Sequence, residues 1–91
     1  MTDYKMTEER RKKLTEFLGS NMLYTYDDDV SMLAVFRKIR DVGKWVEFIG
    51  FVAKQMTLGS MHAEHFMIWL FLDNPERACC LAADFLEEQG T

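Results

Sequence analysis

The chain has 91 residues, enough for one domain with a single core and little surplus stability. Fifteen Asp and Glu residues outnumber eleven Lys and Arg residues. The net charge of −4 disfavours a general nucleic-acid binder, because phosphate contacts supply most of that affinity. Aromatic residues make up 13% of the chain, and we expect some of them to lie on a surface that meets a partner.

Amphipathic stretches separated by residues that end helices fill the chain. This pattern predicts one all-α domain over residues 1–91, a compact bundle of about five short helices, with residues 1–5 frayed. The predicted helices cover residues 7–18, 28–42, 44–56, 61–72 and 75–89.

The first predicted helix has Thr7 as its N-cap and Gly19 as a left-handed C-cap. Its apolar stripe is narrow, so we expect this helix to be peripheral. The run of four basic residues over 10–13 is interpreted as a solvated face. Residues 21–26 alternate in a way that favours an extended linker, laid over the core by its aromatic side chains.

The acidic residues 27–29 lack the spacing of a calcium loop and are interpreted as the N-cap of the second helix. Its apolar stripe predicts burial, and Gly43 ends it. The third helix has a wide apolar arc, which predicts a central position, and Gly50 there suggests close approach of another helix. The stripe of the second helix consists of Met32, Val35, Phe36, Ile39 and Val42.

The fourth predicted helix begins after Ser60, and its residues 66–72 are apolar all round. Such a segment is buried by neighbouring helices or by a second copy of the chain, so a homodimer is one alternative. Asn74 and Pro75 predict the start of the fifth helix. We expect the third and fourth helices to form the centre of the bundle.

The residues that could carry chemistry are few. His62 and His65 are spaced for one helix face, but no third metal ligand accompanies them. Cys80 is the only thiol expected to have some exposure, and its acidic neighbours disfavour the thiolate. Cys79 is expected at the edge of the apolar face. The sequence therefore predicts a protein that is not an enzyme and has no metal and no cofactor.

Two further classes of protein are disfavoured. A helix-turn-helix would use residues 61–72 as its recognition helix, which offers no Arg, Lys, Asn or Gln to base edges. No stretch reaches the roughly 18 apolar residues that span a membrane. Residues 1–11 lack the apolar core of a signal peptide. Because neighbouring cysteines rarely bridge each other, we expect a reducing cytoplasm as the compartment.

Residues 6–19, which read MTEERRKKLTEFLG, resemble the opening of a loose group of small uncharacterised bacteriophage and prophage proteins. Residues 42–48 (VGKWVEF), 69–71 (WLF), Pro75 and 80–86 (CLAADFL) are similar to the later part of that group. The resemblance implies phage origin rather than an activity. Many members carry a Cys/His insert after the first helix, which this chain lacks, so a metal role is not implied.

We therefore expect a non-enzymatic phage or prophage accessory protein that binds a host or phage protein in the cytoplasm of a bacterial host cell. An inhibitor of a host defence system such as an anti-CRISPR protein is one alternative, and a helical nucleic-acid-binding regulator is another. The candidate partner-binding residues are a tryptophan with two histidines and an acidic face: His62, His65, Trp69, Glu76, Asp84, Glu87 and Glu88.

Overall fold

The computed structural model describes residues 5–19, 24–56 and 71–89. Over these ranges the fold is the predicted all-α bundle, and residues 71–73 are helical as well. The four full helices are α1 (Glu8–Leu18), α2 (Asp29–Asp41), α3 (Trp45–Met56) and α4 (Pro75–Glu88). Helix α4 is the fifth predicted helix. Most of the fourth predicted helix and residues 21–23 of the predicted linker lie outside the described residues.

The helix ends are those that the local sequence predicts. Side-chain oxygens of Thr7, Asp28 and Asn74 each accept a hydrogen bond from the amide three residues later, at 3.2, 2.8 and 3.2 Å. These bonds pair amides that a helix leaves unsatisfied at its start. Hydrogen bonds from Ser31 also hold the pKa of Asp28 below its usual value. Gly19 follows α1 with a φ of 60°, the left-handed conformation that glycine adopts without strain.

Helix α4 lies at the centre of the described bundle, because it packs against α1, α2 and α3. Five of its buried residues are small, which lets three helices approach it at once. Helix α3, which we expected at the centre, has two fully buried side chains over residues 45–55, Phe48 and Val52. The small buried residues of α4 are Ala78, Cys79, Cys80, Ala82 and Ala83.

Two residues predicted to pack inside the bundle, Val42 and Val46, lie on its surface instead. Val42 is exposed because α2 ends at Asp41 and Val42 caps it. Val46 is 80% exposed, so the apolar arc of α3 is narrower than the sequence suggests. Gly50 is exposed, and a Cβ there would meet nothing within 4 Å among the described residues, so none of the described helices makes the expected close approach at this glycine.

Aromatic rings fill much of the core. Phe36 lies 5.5 Å from Phe48 and 5.8 Å from Phe71 between ring centroids. Phe85 lies 5.4 Å from Phe48 and 5.7 Å from Phe51. All of these distances fall in the range of favourable ring contacts, which add to the free energy of burial. The aromatic residues that the structure describes are therefore buried in the core or packed against it.

Tyr26 differs from the extended conformation that the sequence predicts for it. Its φ is 60°, and its side chain is buried in the core. The hydroxyl lies 3.0 Å from the Thr15 Oγ1 of α1, and the backbone amide donates to the Ser31 Oγ of α2 at 3.1 Å. Tyr26 therefore joins the first two helices at the point where the chain passes between them.

Candidate protein-binding surfaces

The predicted acidic face lies on α4, where α1 covers part of it. The Arg10 guanidinium donates two parallel hydrogen bonds to Asp84, from Nε to Oδ1 and from Nη2 to Oδ2, both at 3.1 Å. This geometry is the strongest form of an Arg–carboxylate pair. The bond to Asp84 raises the pKa of Arg10 above its ordinary value.

Two further carboxylates of the acidic face have partners within the chain. The Lys13 ammonium lies 3.0 Å from Glu87 Oε2, and the Met6 amide donates to Glu76 Oε2 at 2.9 Å. Glu88 is exposed. We call Arg10, Lys13, Asp84 and Glu87 together the α1–α4 seam. Two of the four carboxylates of the predicted acidic face, Asp84 and Glu87, thus pair with α1, and Glu76 binds the residue two positions before it.

The basic run of α1 is divided between two environments. Arg10 and Lys13 are half-buried against α4, because positions three apart share one face of a helix. Arg11 and Lys12 are exposed to solvent. The prediction of a solvated basic face is therefore right for Arg11 and Lys12 and wrong for Arg10 and Lys13.

Both thiols are fully buried, so the expected exposure of Cys80 is wrong. Burial raises the pKa of Cys79 to about 12. Burial also raises the pKa of Cys80 to about 11; the positive charge of Arg10 opposes the shift, and Glu76 and Asp84 add to it. Since the thiolate is the nucleophile, neither sulfur is suited to covalent chemistry in the folded protein.

The remaining predicted site residues, His62, His65 and Trp69, lie outside the described residues. Within residues 5–19, 24–56 and 71–89, no group of three or more His, Cys, Asp or Glu side chains is placed to hold a metal ion.

A second surface, which the sequence analysis missed, is an open apolar cleft of about 360 Å³ between α2, the start of α3 and residue 72. We call it the Trp45 cleft. Leu33 and Leu72 are 51% and 45% exposed there, which is unusual for two leucines that share one depression. Phe36 packs edge-on against Trp45 at 5.5 Å between ring centroids. The described lining consists of Met32, Leu33, Phe36, Arg37, Arg40, Trp45 and Leu72.

The charged groups that line the described part of the cleft are two exposed arginines. Arg40 lies 3.3 Å from the carboxylate of the neighbouring Asp41, and both side chains are more than half exposed, so this pair is weak. Leu33, Arg37 and Arg40 follow one another at i, i+4 and i+7, which places them on one helix face. A leucine on the charged face of α2 is the sequence signal that could have revealed the cleft.

No protein-family model matches the chain, and neither a curated protein nor a solved structure is significantly similar to it. Among the helices of the described residues, none has the length and apolar character that crossing a membrane requires.

Proposed function

We propose that the protein is non-enzymatic and acts by holding another protein in the Trp45 cleft. The observation that carries this proposal is the cleft itself, where Leu33, Trp45 and Leu72 line an open depression beside two arginines. Its volume of about 360 Å³ is within the usual size of ligand-binding clefts. Tryptophan and arginine are also the residue types that contribute most to binding at protein interfaces.

Within the part of the chain that the structure describes, the state of the other reactive groups supports binding rather than catalysis. Asp84 and Glu87 are paired with α1, and the two thiols are buried with raised pKa values. These groups serve the stability of the fold. We therefore place the partner at the Trp45 cleft rather than at the acidic face of α4.

The resemblance to small bacteriophage and prophage proteins supports a host or phage protein as the partner, met in the bacterial cytoplasm. The protein would then be a phage accessory factor, of which an inhibitor of a host defence system such as an anti-CRISPR protein is one form.

Site-specific photo-crosslinking in bacterial cells tests this proposal. A photoreactive phenylalanine analogue replaces Leu33 in one variant and Val46 in another. Val46 is the control because it is 80% exposed on α3 and does not line the cleft. We expect a protein that crosslinks from position 33 and not from position 46.

The same protein should fail to co-purify with Leu33→Lys and should still co-purify with Val46→Lys. Circular dichroism of both variants checks the fold, which we expect to be retained because both side chains are exposed. Equal crosslinking from both positions would argue against the cleft. Loss of the partner with Glu87→Lys, but not with Leu33→Lys, would move binding to the acidic face and overturn the proposal.

A further inference from the structure

The charges around the Trp45 cleft restrict what can occupy it. Arg37 and Arg40 are exposed on its edge, and the described lining contains no carboxylate. Asp41 forms only a weak, exposed pair with Arg40, and the two guanidinium groups outnumber this one carboxylate. The described part of the cleft is therefore a local positive site on a protein of net charge −4. An apolar floor beside two guanidinium groups complements an apolar anchor flanked by carboxylates.

A second copy of the chain is a poor occupant of this cleft. A two-fold symmetric dimer places the same patch of both copies face to face. Such a dimer would bring four guanidinium groups, Arg37 and Arg40 of each copy, into one interface whose described lining has no carboxylate, and like charges in one interface oppose association.

We propose that the Trp45 cleft binds a segment of a different protein that carries large apolar side chains with Asp or Glu residues beside them. This inference rests on the proposed binding function and adds the chemistry of the partner. The apolar side chains of the segment lie against Leu33, Trp45 and Leu72. Its carboxylates meet the guanidinium groups of Arg37 and Arg40, which can each bind a carboxylate through two hydrogen bonds.

A pair of synthetic peptides tests the charge requirement. The first peptide has a large apolar residue, Leu or Phe, at each of the positions i, i+4 and i+7, and Glu at the positions around them. The second peptide has Lys in place of every Glu. Binding to the full chain is followed by ¹⁵N NMR, with the amides of Leu33 and Arg37 and the indole of Trp45 as reporters. We expect the Glu peptide to shift these signals and to bind at least about tenfold more tightly than the Lys peptide.

Charge reversal in the protein gives the second measurement. The double variant Arg37→Glu/Arg40→Glu should weaken binding of the Glu peptide by about tenfold or more. The matched control is Arg11→Glu/Lys12→Glu, which changes the net charge equally on the exposed part of α1 and should leave the affinity within about twofold.

The outcomes separate this inference from the proposed function. Equal binding of both peptides, lost with Leu33→Lys, would leave the binding function standing and overturn the acidic partner. If no peptide binds and position 33 also captures no protein, both proposals are wrong. A dimer in sedimentation analysis that dissociates with Leu33→Lys would assign the cleft to a second copy and overturn the inference.

Discussion

The α1–α4 seam and the Trp45 cleft use similar side chains for opposite purposes. In the seam, Arg10 and Lys13 are paired with carboxylates more than seventy residues away in the sequence. In the cleft, Arg40 has only the neighbouring Asp41 among the ion pairs of the described residues. The difference indicates that charge in the seam attaches a weakly apolar helix to the core, whereas charge at the cleft is accessible to a ligand.

The largest difference between the two regions should appear when a leucine of each is shortened. Leu14 is the one fully buried residue of α1, whereas Leu33 is 51% exposed in the cleft. We expect Leu14→Ala to lower the free energy of unfolding by about 2–5 kcal/mol, because a cavity forms. Leu33→Ala should change it by no more than about 0.5 kcal/mol. Chemical denaturation measures both, and equal losses would contradict the assignment of the cleft as an open surface.

The next largest effect is on the reactivity of Cys79 and Cys80, the buried thiols of α4. The pKa of Cys80 rises from 9.0 to about 11, so at pH 8 the native protein holds about 100-fold less thiolate than the unfolded chain. We expect a disulfide reagent to label the native protein at least about 100-fold more slowly than the denatured protein.

A cysteine introduced by Val46→Cys, which is exposed, is the control and should react in the native state at close to the denatured rate. Rapid native labelling of Cys79 or Cys80 would show that α1 does not protect them.

The raised pKa values of the two thiols also make the stability of the fold depend on pH. The unfolded thiols ionise first, near pH 9, so the stability that the buried neutral thiols contribute is present below pH 9. It is lost as the pH rises from 9 towards 12.

The smallest predicted effect compares one ion pair of each region. The side chains of Arg10 and Asp84 are 20% and 37% exposed, and we expect Asp84→Asn to cost about 1 kcal/mol of unfolding free energy. Asp41→Asn, beside the cleft, should cost almost nothing because that pair is exposed. Double-mutant cycles with Arg10→Gln and Arg40→Gln measure the two couplings, and a coupling at Arg40–Asp41 as large as that in the seam would remove the contrast.

Most of the fold could be predicted because its signals are local. The caps at Thr7, Asp28 and Asn74 act on an amide three residues away, so a short stretch of sequence contains the whole interaction. The central position of α4 is harder to predict from the sequence. Its small residues do not produce a strong apolar stripe, and their effect depends on how closely the other helices approach.

The seam could not be predicted because it depends on the packing of distant helices. Nothing near Arg10 in the sequence indicates that Asp84 will lie 3.1 Å away. The same basic run would be a solvated face if α1 were rotated about its axis. The cleft is hard to predict for a different reason: the apolar stripe of α2 marks its buried face, whereas Leu33 lies on the charged side of the helix.

Tyr26 also limits which amino-acid substitutions the chain can accept between α1 and α2. A φ of 60° suits glycine, but glycine would leave empty the space that the buried ring now fills. Phenylalanine would preserve the ring and lose the bond to the Thr15 hydroxyl. No single substitution both suits the left-handed backbone and keeps the buried, hydrogen-bonded ring. Position 26 should therefore change only together with the residues around it. A tyrosine in the left-handed conformation between two capped helices would therefore identify relatives after most other likeness has disappeared.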